Sequence, residues 1–150
     1  MPSTVTSVIE VAVRRDFASA TALLRATNLP ITGVADQFPA AYVVVRRRDA
    51  LLALAGLEIY GAAGLLRSLA VHPDAQGRGL GRALVANRLA EARARGLTGV
   101  YLLTTTAADY FRGLGFAPAD RARVPDALRG SPEFACVCPS SATCLVFACG

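Results

Sequence analysis

The chain has no lysine and no tryptophan, and only one methionine and one histidine. The want of lysine excludes a Walker-type nucleotide loop, whose glycines must run into Gly-Lys-Ser/Thr. It also leaves arginine to supply all 16 basic side chains and a formal net charge of +5. Two readings of that charge stay open: a GC-rich coding bias, and attraction to a small polyanionic ligand. Nucleic acid is not the expected partner, because the arginines are scattered and no stacking aromatics lie among them. Their one cluster, Arg46-Arg47-Arg48 before Asp49, reads as a solvated hairpin turn. Long apolar runs are missing too: none reaches the ~20 residues of a membrane span. Met1 to Arg15 lacks the charged start, apolar middle and small-residue cleavage site of a secretory signal. A soluble, cytoplasmic protein is therefore expected, with no membrane partner. In that compartment Cys136, Cys138, Cys144 and Cys149 are not expected to form a disulfide framework.

With 150 residues, 53% of them apolar, the chain is expected to form one domain over 1–150 with a core that needs no staples. Ser7 to Val13 suits a strand. Asp16 can cap a helix to about Thr27, with Phe17, Ala20, Leu23 and Leu24 on one face, and Asn28-Leu29-Pro30 ends it. A short helix over 32–38 is followed by three strands, Tyr42–Arg46, Leu51–Ile59 and Leu65–His72. Their short connections, Arg47–Ala50 and Gly61–Gly64, predict an antiparallel meander. A helix then runs to Arg95, supported by Glu91 four residues before it and stopped by Gly96. Val100–Thr104 reads as a strand, Ala107–Leu114 as a short helix, Phe116–Pro118 as the start of a strand, 124–128 as one helical turn and Thr143–Ala148 as a last strand. The fold class is α+β, a mixed and mostly antiparallel sheet of about seven strands flanked by about four helices.

The most informative stretch is Leu65 to Leu84, where an apolar strand ends at Pro73 and a glycine-rich turn opens a helix. Backbone N–H groups at such a helix start form an anion pocket, so a phosphorylated ligand is expected. A dinucleotide fingerprint is excluded, since three hairpin-connected strands precede the glycines. Gln76-x-x-Gly79-x-Gly81, preceded by Leu69-Ala70-Val71-x-Pro73, resembles the acyl-CoA-binding motif of the GNAT-type N-acyltransferases. Phe111-Arg112-Gly113-Leu114-Gly115-Phe116 resembles the family's second signature, and the element order fits over about residues 5–118.

That resemblance implies acetyl-CoA as cosubstrate. Main-chain groups of Gln76, Gly77, Arg78, Gly79, Leu80, Gly81 and Arg82 would hold the pyrophosphate, with glycine permitting positive φ. Leu69, Ala70 and Val71 would line the pantetheine arm, which in the family enters a gap between the fourth and fifth strands. The Val71 N–H would face the thioester oxygen. Acetyl transfer would proceed by direct attack of an amine, with no cysteine nucleophile. Glu58, a carboxylate in an apolar strand, is the candidate base, against an outward-facing residue near a strand end. Phe111 stands where many relatives carry the tyrosine that protonates the leaving thiolate. Tyr110, about 100° round the helix, is expected to pack inward, so the thiolate is expected to leave without a protein acid or with water. His72 reads as a turn residue rather than a catalytic one.

The segments 56–61, 65–71 and 102–106, with Glu133-Phe134-Ala135 and Cys138-Pro139, are similar to the arsenic-resistance N-acetyltransferases. Residues 100–106 with Tyr110-Phe111 and Leu114-Gly115-Phe116 are similar to the acetyltransferase domain of N-acetylglutamate synthases. Both imply an amino-acid-like acceptor, in the first case one bearing an organoarsenic or organophosphorus group. Tyr60, Arg67, Ser68, Thr105 and Thr106 are the residues expected around it, with only one of Arg67 and Ser68 facing the pocket because neighbours on a strand alternate. Cys136, Cys138 and Cys144 could bind a metalloid or pack as small apolar residues. No metal site is expected. A peptide N-acetyltransferase and a catalytically idle acyl-CoA- or arsenical-binding module are the alternatives, and pairing into a homodimer is left open.

Overall fold

Strand β2 (Tyr42–Arg47) is buried along Tyr42 to Val45, as is β3 (Ala50–Tyr60) over most of its length, because helices cover both faces of the sheet. In this computed structural model residues 8–48, 50–137 and 141–149 are described, those at 136–137 without their side chains. Alternate residues feed opposite layers. Tyr42, Val44 and Leu54 pack with Ala20, Leu23 and Leu24 of α1 (Phe17–Ala26) and with Val34 of α2 (Val34–Gln37). Val43, Val45, Ala53 and Ala55 pack on the other side with Leu80 and Leu84 of α3 (Leu80–Ala94).

The seven strands form one mixed sheet in the order β1-β2-β3-β4-β5-β7-β6. Besides β2 and β3 these are β1 (Ile9–Val11), β4 (Ala63–Val71), β5 (Gly99–Thr104), β6 (Ala117–Pro118) and β7 (Thr143–Ala148). The expected meander is present as β2–β3–β4, and the expected first strand is shorter than 7–13, with Ser7 outside the described residues. Two short helices, α4 (Ala108–Gly113) and α5 (Asp126–Arg129), complete the helical layers.

Two local expectations change. Asp16 stands at the start of α1, but its carboxylate makes no cap bond within the helix. It accepts the Val13 N–H at 2.8 Å and the Arg46 guanidinium through Nε at 3.1 Å. Arg46 is thereby drawn out of the solvated turn, and it also meets Glu10 at 3.1 Å. Helix α3 buries a broad face that includes Arg88, whose guanidinium is held by Asn87 Oδ1 and the Ala41 carbonyl.

The sheet parts at one seam. Strands β4 and β5 pair in parallel only over Ala63–Gly99, Gly64–Val100 and Leu65–Tyr101, although both continue beyond. On the other edge of β4 the register slips: Leu54 faces Ala70 but Gly56 faces Arg67. Two residues, Ser68 and Leu69, therefore stand opposite Ala55. Leu57 donates to Ala41 on β2's side, and the Leu52 carbonyl accepts from His72 on β4's side. By alternation Ala55 turns its own groups toward β2, which leaves Ser68 and Leu69 without a ladder partner on β3. This is a β-bulge, and Ser68 holds it with φ +59°.

Candidate active site

Beyond the bulge, β4 runs to Val71 and the chain turns into the glycine-rich loop. Because His72 bonds to β3, Val71 directs its own N–H and C=O to the opposite side, into the seam. The Gln76 side chain reaches back and donates to that carbonyl at 3.2 Å, fixing the loop to the strand. Gly77 and Gly79 each have φ +80° with open space where a side chain would stand. Conformation rather than crowding requires glycine there. Gly79 opens α3, and the first intrahelical bond runs from Ala83 N to its carbonyl. The N–H groups of Leu80, Gly81 and Arg82 thus have no partner within the helix. They stand next to the Gly77–Gly79 turn, at the positive end of a 15-residue helix.

From this loop a cavity of about 1050 Å³ runs along the seam to the C-terminal end of α1. Of the residues expected at the coenzyme, Leu69, Ala70, Val71, Gln76, Gly77, Gly79, Leu80, Gly81, Arg82 and Phe111 line this cavity. Arg78 is exposed and stands off the wall. Arg67, Ser68, Thr105 and Thr106 line the same cavity.

The expected alternation of Arg67 and Ser68 fails, for the reason given by the bulge. With Ser68 at positive φ the strand kinks, so both side chains reach the cavity, and Arg67 Nε lies 3.3 Å from Ser68 Oγ. Tyr42 OH meets the same hydroxyl at 3.1 Å, and burial pushes that phenol up to about 12. Tyr42 therefore stays neutral throughout the physiological range.

Arg67 is fully enclosed and ties two glutamates together. NH1 lies 3.4 Å from Glu58 Oε2, Nε lies 3.5 Å from Glu133 Oε1, and NH2 donates to the Pro30 carbonyl at 3.3 Å. Glu58 and Tyr60 do not reach the cavity wall. Glu58 is 1% exposed, and its other oxygen accepts the Tyr60 hydroxyl at 2.5 Å. Burial, followed by the bond to Glu58, raises the Tyr60 pKa. Of the two positions open to Glu58, the outward-facing one is excluded: the carboxylate is buried behind Arg67 with a partner on each oxygen.

Glu133, which the sequence reading passed over as a candidate, is on the wall. It is 5% exposed and begins a wide helical turn, Glu133–Val137, after α5. Ser131 holds this turn through its carbonyl to Ala135 N and its hydroxyl to Phe134 N. Phe134 anchors it against Leu65, Val124, Leu128 and Cys144. Burial pushes the Glu133 carboxyl up to about 7, against the pull of Arg67. A lone acid beside the apolar run Phe134–Val137 was the available signal.

The α4 expectation is also corrected. Phe111 packs inward among Val85, Leu89 and Phe116, while Tyr110 is 45% exposed and lines the cavity. Its hydroxyl lies 2.8 Å from where a Cβ on Gly81 would stand, at the loop end of the cavity. His72 caps the turn after β4 by accepting the Asp74 N–H at 3.1 Å. Cys144 is buried and its thiol is pushed up to about 11 by burial, so it packs as a small apolar residue. Cys138 and the Cys136 side chain lie outside the described residues. Among those described, no group of His, Cys, Asp and Glu is placed to hold a metal ion, and no helix is long and apolar enough to cross a membrane.

An anion loop at the mouth of a parted sheet, with a buried acid–base cluster at the far end, defines a class: enzymes that hold a long phosphorylated carrier beside a second substrate. The chain belongs to one such family, the acetyltransferase (GNAT) domains, whose pattern matches residues 39–118. It is 39% identical over 88 residues to an amino-acid acetyltransferase of Ectopseudomonas mendocina, a match covering 57% of this chain and 20% of that protein. The chain thus spans about a fifth of the curated relatives it matches. In fold it is similar to N-acetylglutamate synthase from Neisseria gonorrhoeae complexed with coenzyme A and N-acetyl-glutamate (TM-score 0.81, 22% identity, 95% of this chain and 35% of that one). It is also similar to the ribosomal-protein-S18-alanine N-acetyltransferase of Escherichia coli (TM-score 0.70, 20% identity, 95% and 94%).

Proposed function

We propose that this protein is an acetyl-CoA-dependent N-acetyltransferase acting on the amine of a small, amino-acid-like acceptor. The observation that carries the reading is the continuity of the cavity: one space joins the N–H-rich loop at Gly77–Arg82 to the Arg67–Ser68–Glu133 cluster. The residues fit a coenzyme A. The loop supplies amides and Arg82 for the pyrophosphate, and the seam offers the backbone groups of Leu69 and the Val71 N–H to the peptide-like pantetheine arm.

The two amides divide the work. Val71 packs toward Gly81, its Cγ2 being 3.8 Å from that residue's Cβ position, so it belongs to the loop end. Leu69 stands two residues nearer the acceptor cluster, about 7 Å along the strand. The oxyanion role expected of Val71 therefore moves to the Leu69 N–H, and Val71 grips the arm. Such a donor contributes a few kcal/mol to the transition state. Tyr110 sits at the loop end and walls the arm, so the thiolate leaves without a protein acid.

At the acceptor end Arg67, Ser68, Thr105 and Thr106 offer donors to an oxyanion on the acceptor. The amino-acid acetyltransferase relatives support this choice over a peptide, and the α1–α2 segment Thr27–Pro30 lines the acceptor end of the cavity. The test is thiol release from acetyl-CoA across amino acids, their phosphinic and arsinic analogues, simple amines and peptides. Turnover of free amino-acid-like amines is expected, and preference for the arsinic analogues would narrow the acceptor to that class. Activity with peptides alone would reject the reading, and coenzyme binding with no turnover would favour an idle binding module.

A further inference from the structure

Resting on the transfer reaction above, we propose that Glu133, rather than Glu58, takes the proton from the acceptor's ammonium group. An amine arriving at neutral pH carries its lone pair as a bond to hydrogen, and it cannot attack until a base removes that proton. Two buried carboxylates flank Arg67, and their surroundings differ. Both Glu58 oxygens are occupied, Oε1 by the Tyr60 hydroxyl and Oε2 by Arg67 NH1. No cavity wall is formed by Glu58.

Glu133 presents the opposite case. It is 5% exposed and on the cavity wall, yet among the described residues no N–H or O–H donates a hydrogen bond to its carboxylate. Its contact with Arg67 Nε, at 3.5 Å, is an ion contact only. Its free acceptor positions are open to the cavity rather than sealed in the core, and an ammonium placed there has three donors to offer. The charged and titratable groups facing Glu133 are Arg67 from β4, Glu58 and Tyr60 from β3, and Tyr42 from β2. One guanidinium shared by two carboxylates leaves room for one further positive charge. Burial sets the Glu133 carboxyl near neutrality, where a base both accepts and gives up its proton.

A proton passes from the ammonium nitrogen to a Glu133 oxygen and frees the nitrogen lone pair. The nitrogen bonds to the thioester carbonyl carbon, and the carbon–sulfur bond breaks with its electron pair going to sulfur. The second nitrogen proton passes to the thiolate through water, and Glu133 returns its proton to solvent.

Three measurements test this. In the wild-type enzyme the acid limb of kcat/KM for the acceptor is expected near pH 7. In Glu133→Gln the limb near pH 7 is replaced by one set by the acceptor amine's own pKa, so the loss, on the order of a hundredfold at pH 7, shrinks above pH 9 as free amine accumulates; coenzyme A affinity by calorimetry stays within twofold. Glu133→Asp, which keeps the acid but withdraws it by one methylene, is expected to lower kcat about tenfold or more with the limb retained. Activity of Glu133→Gln within threefold of wild type, or a limb unchanged in it, overturns the proposal, as does full kcat in Glu133→Asp. Carboxyl ¹³C NMR of the wild-type protein separates this from the reaction itself. The Glu133 resonance is expected to move toward the ionised form as amines bind, whether or not they are turned over. A resonance unmoved by every amine overturns the role of Glu133, while absence of thiol release with any amine counts against the transfer reaction alone.

Discussion

At the scale of single residues, two glycines show how differently the same substitution acts. A Cβ on Gly56 would lie 2.7, 2.8 and 3.2 Å from ring atoms of Tyr42, a side chain with no exposed surface. The ring also holds Ser68, so it has nowhere to go. Gly56→Ala is expected to destabilise the protein by about 2–3 kcal/mol through overpacking, read as a lowered urea midpoint. A Cβ on Gly81 meets the Tyr110 hydroxyl at 2.8 Å, the free end of a half-exposed side chain that can swing. Gly81→Ala should change stability by less than about 1 kcal/mol yet weaken coenzyme A binding by calorimetry, because the displaced phenol shifts into the path of the arm.

The elements carry the next lesson, and the bulge in β4 is the clearest of them. A serine at φ +59° costs of order 1 kcal/mol or more against an ordinary strand conformation. The hydroxyl offsets this through Tyr42 and Arg67. Ser68→Gly is expected to keep the bulge and coenzyme A affinity while loosening Arg67. Ser68→Val, β-branched and unsuited to positive φ, should lose about 2 kcal/mol or more of stability and weaken coenzyme A binding at least tenfold as the strand straightens. Equal coenzyme affinity in the two variants would separate the bulge from the seam. Most strands and helices were readable in the sequence because apolar runs and Gly or Pro punctuation are local signals. The loop at Gly77–Gly81 was readable for the same reason. The bulge was not, since a serine between Arg67 and Leu69 carries no mark of left-handed backbone. Nor was Glu133, which meets Arg67 across 66 positions of chain. Tyr110 was misplaced, expected to pack inward but found on the cavity wall beside Phe111, because a six-residue helix is too short for its apolar face to be read.

For the molecule as a whole, two buried acids pull stability in opposite directions with pH. Asp16 is held below its ordinary range chiefly by the Arg46 hydrogen bond. Its contribution is present above the unfolded value of 3.8 and is lost as pH falls through the folded one. Glu133 is raised from 4.5 to about 7, so the folded state favours its protonated form. That contribution is full below 4.5 and is lost as pH rises through 7. Chemical denaturation is expected to show free-protein stability falling between pH 5 and 7.5, and Glu133→Gln should flatten that slope. A slope unchanged in the variant would assign it to other groups.

The seam between β4 and β5 has a price at the end of the cycle. If a guest chain zips into those unpaired amides, the sheet is whole only while loaded, and every turnover must tear that zip open again. Grip and release are then set by the same handful of bonds, so any change that makes the spent carrier fit better will make it slower to depart.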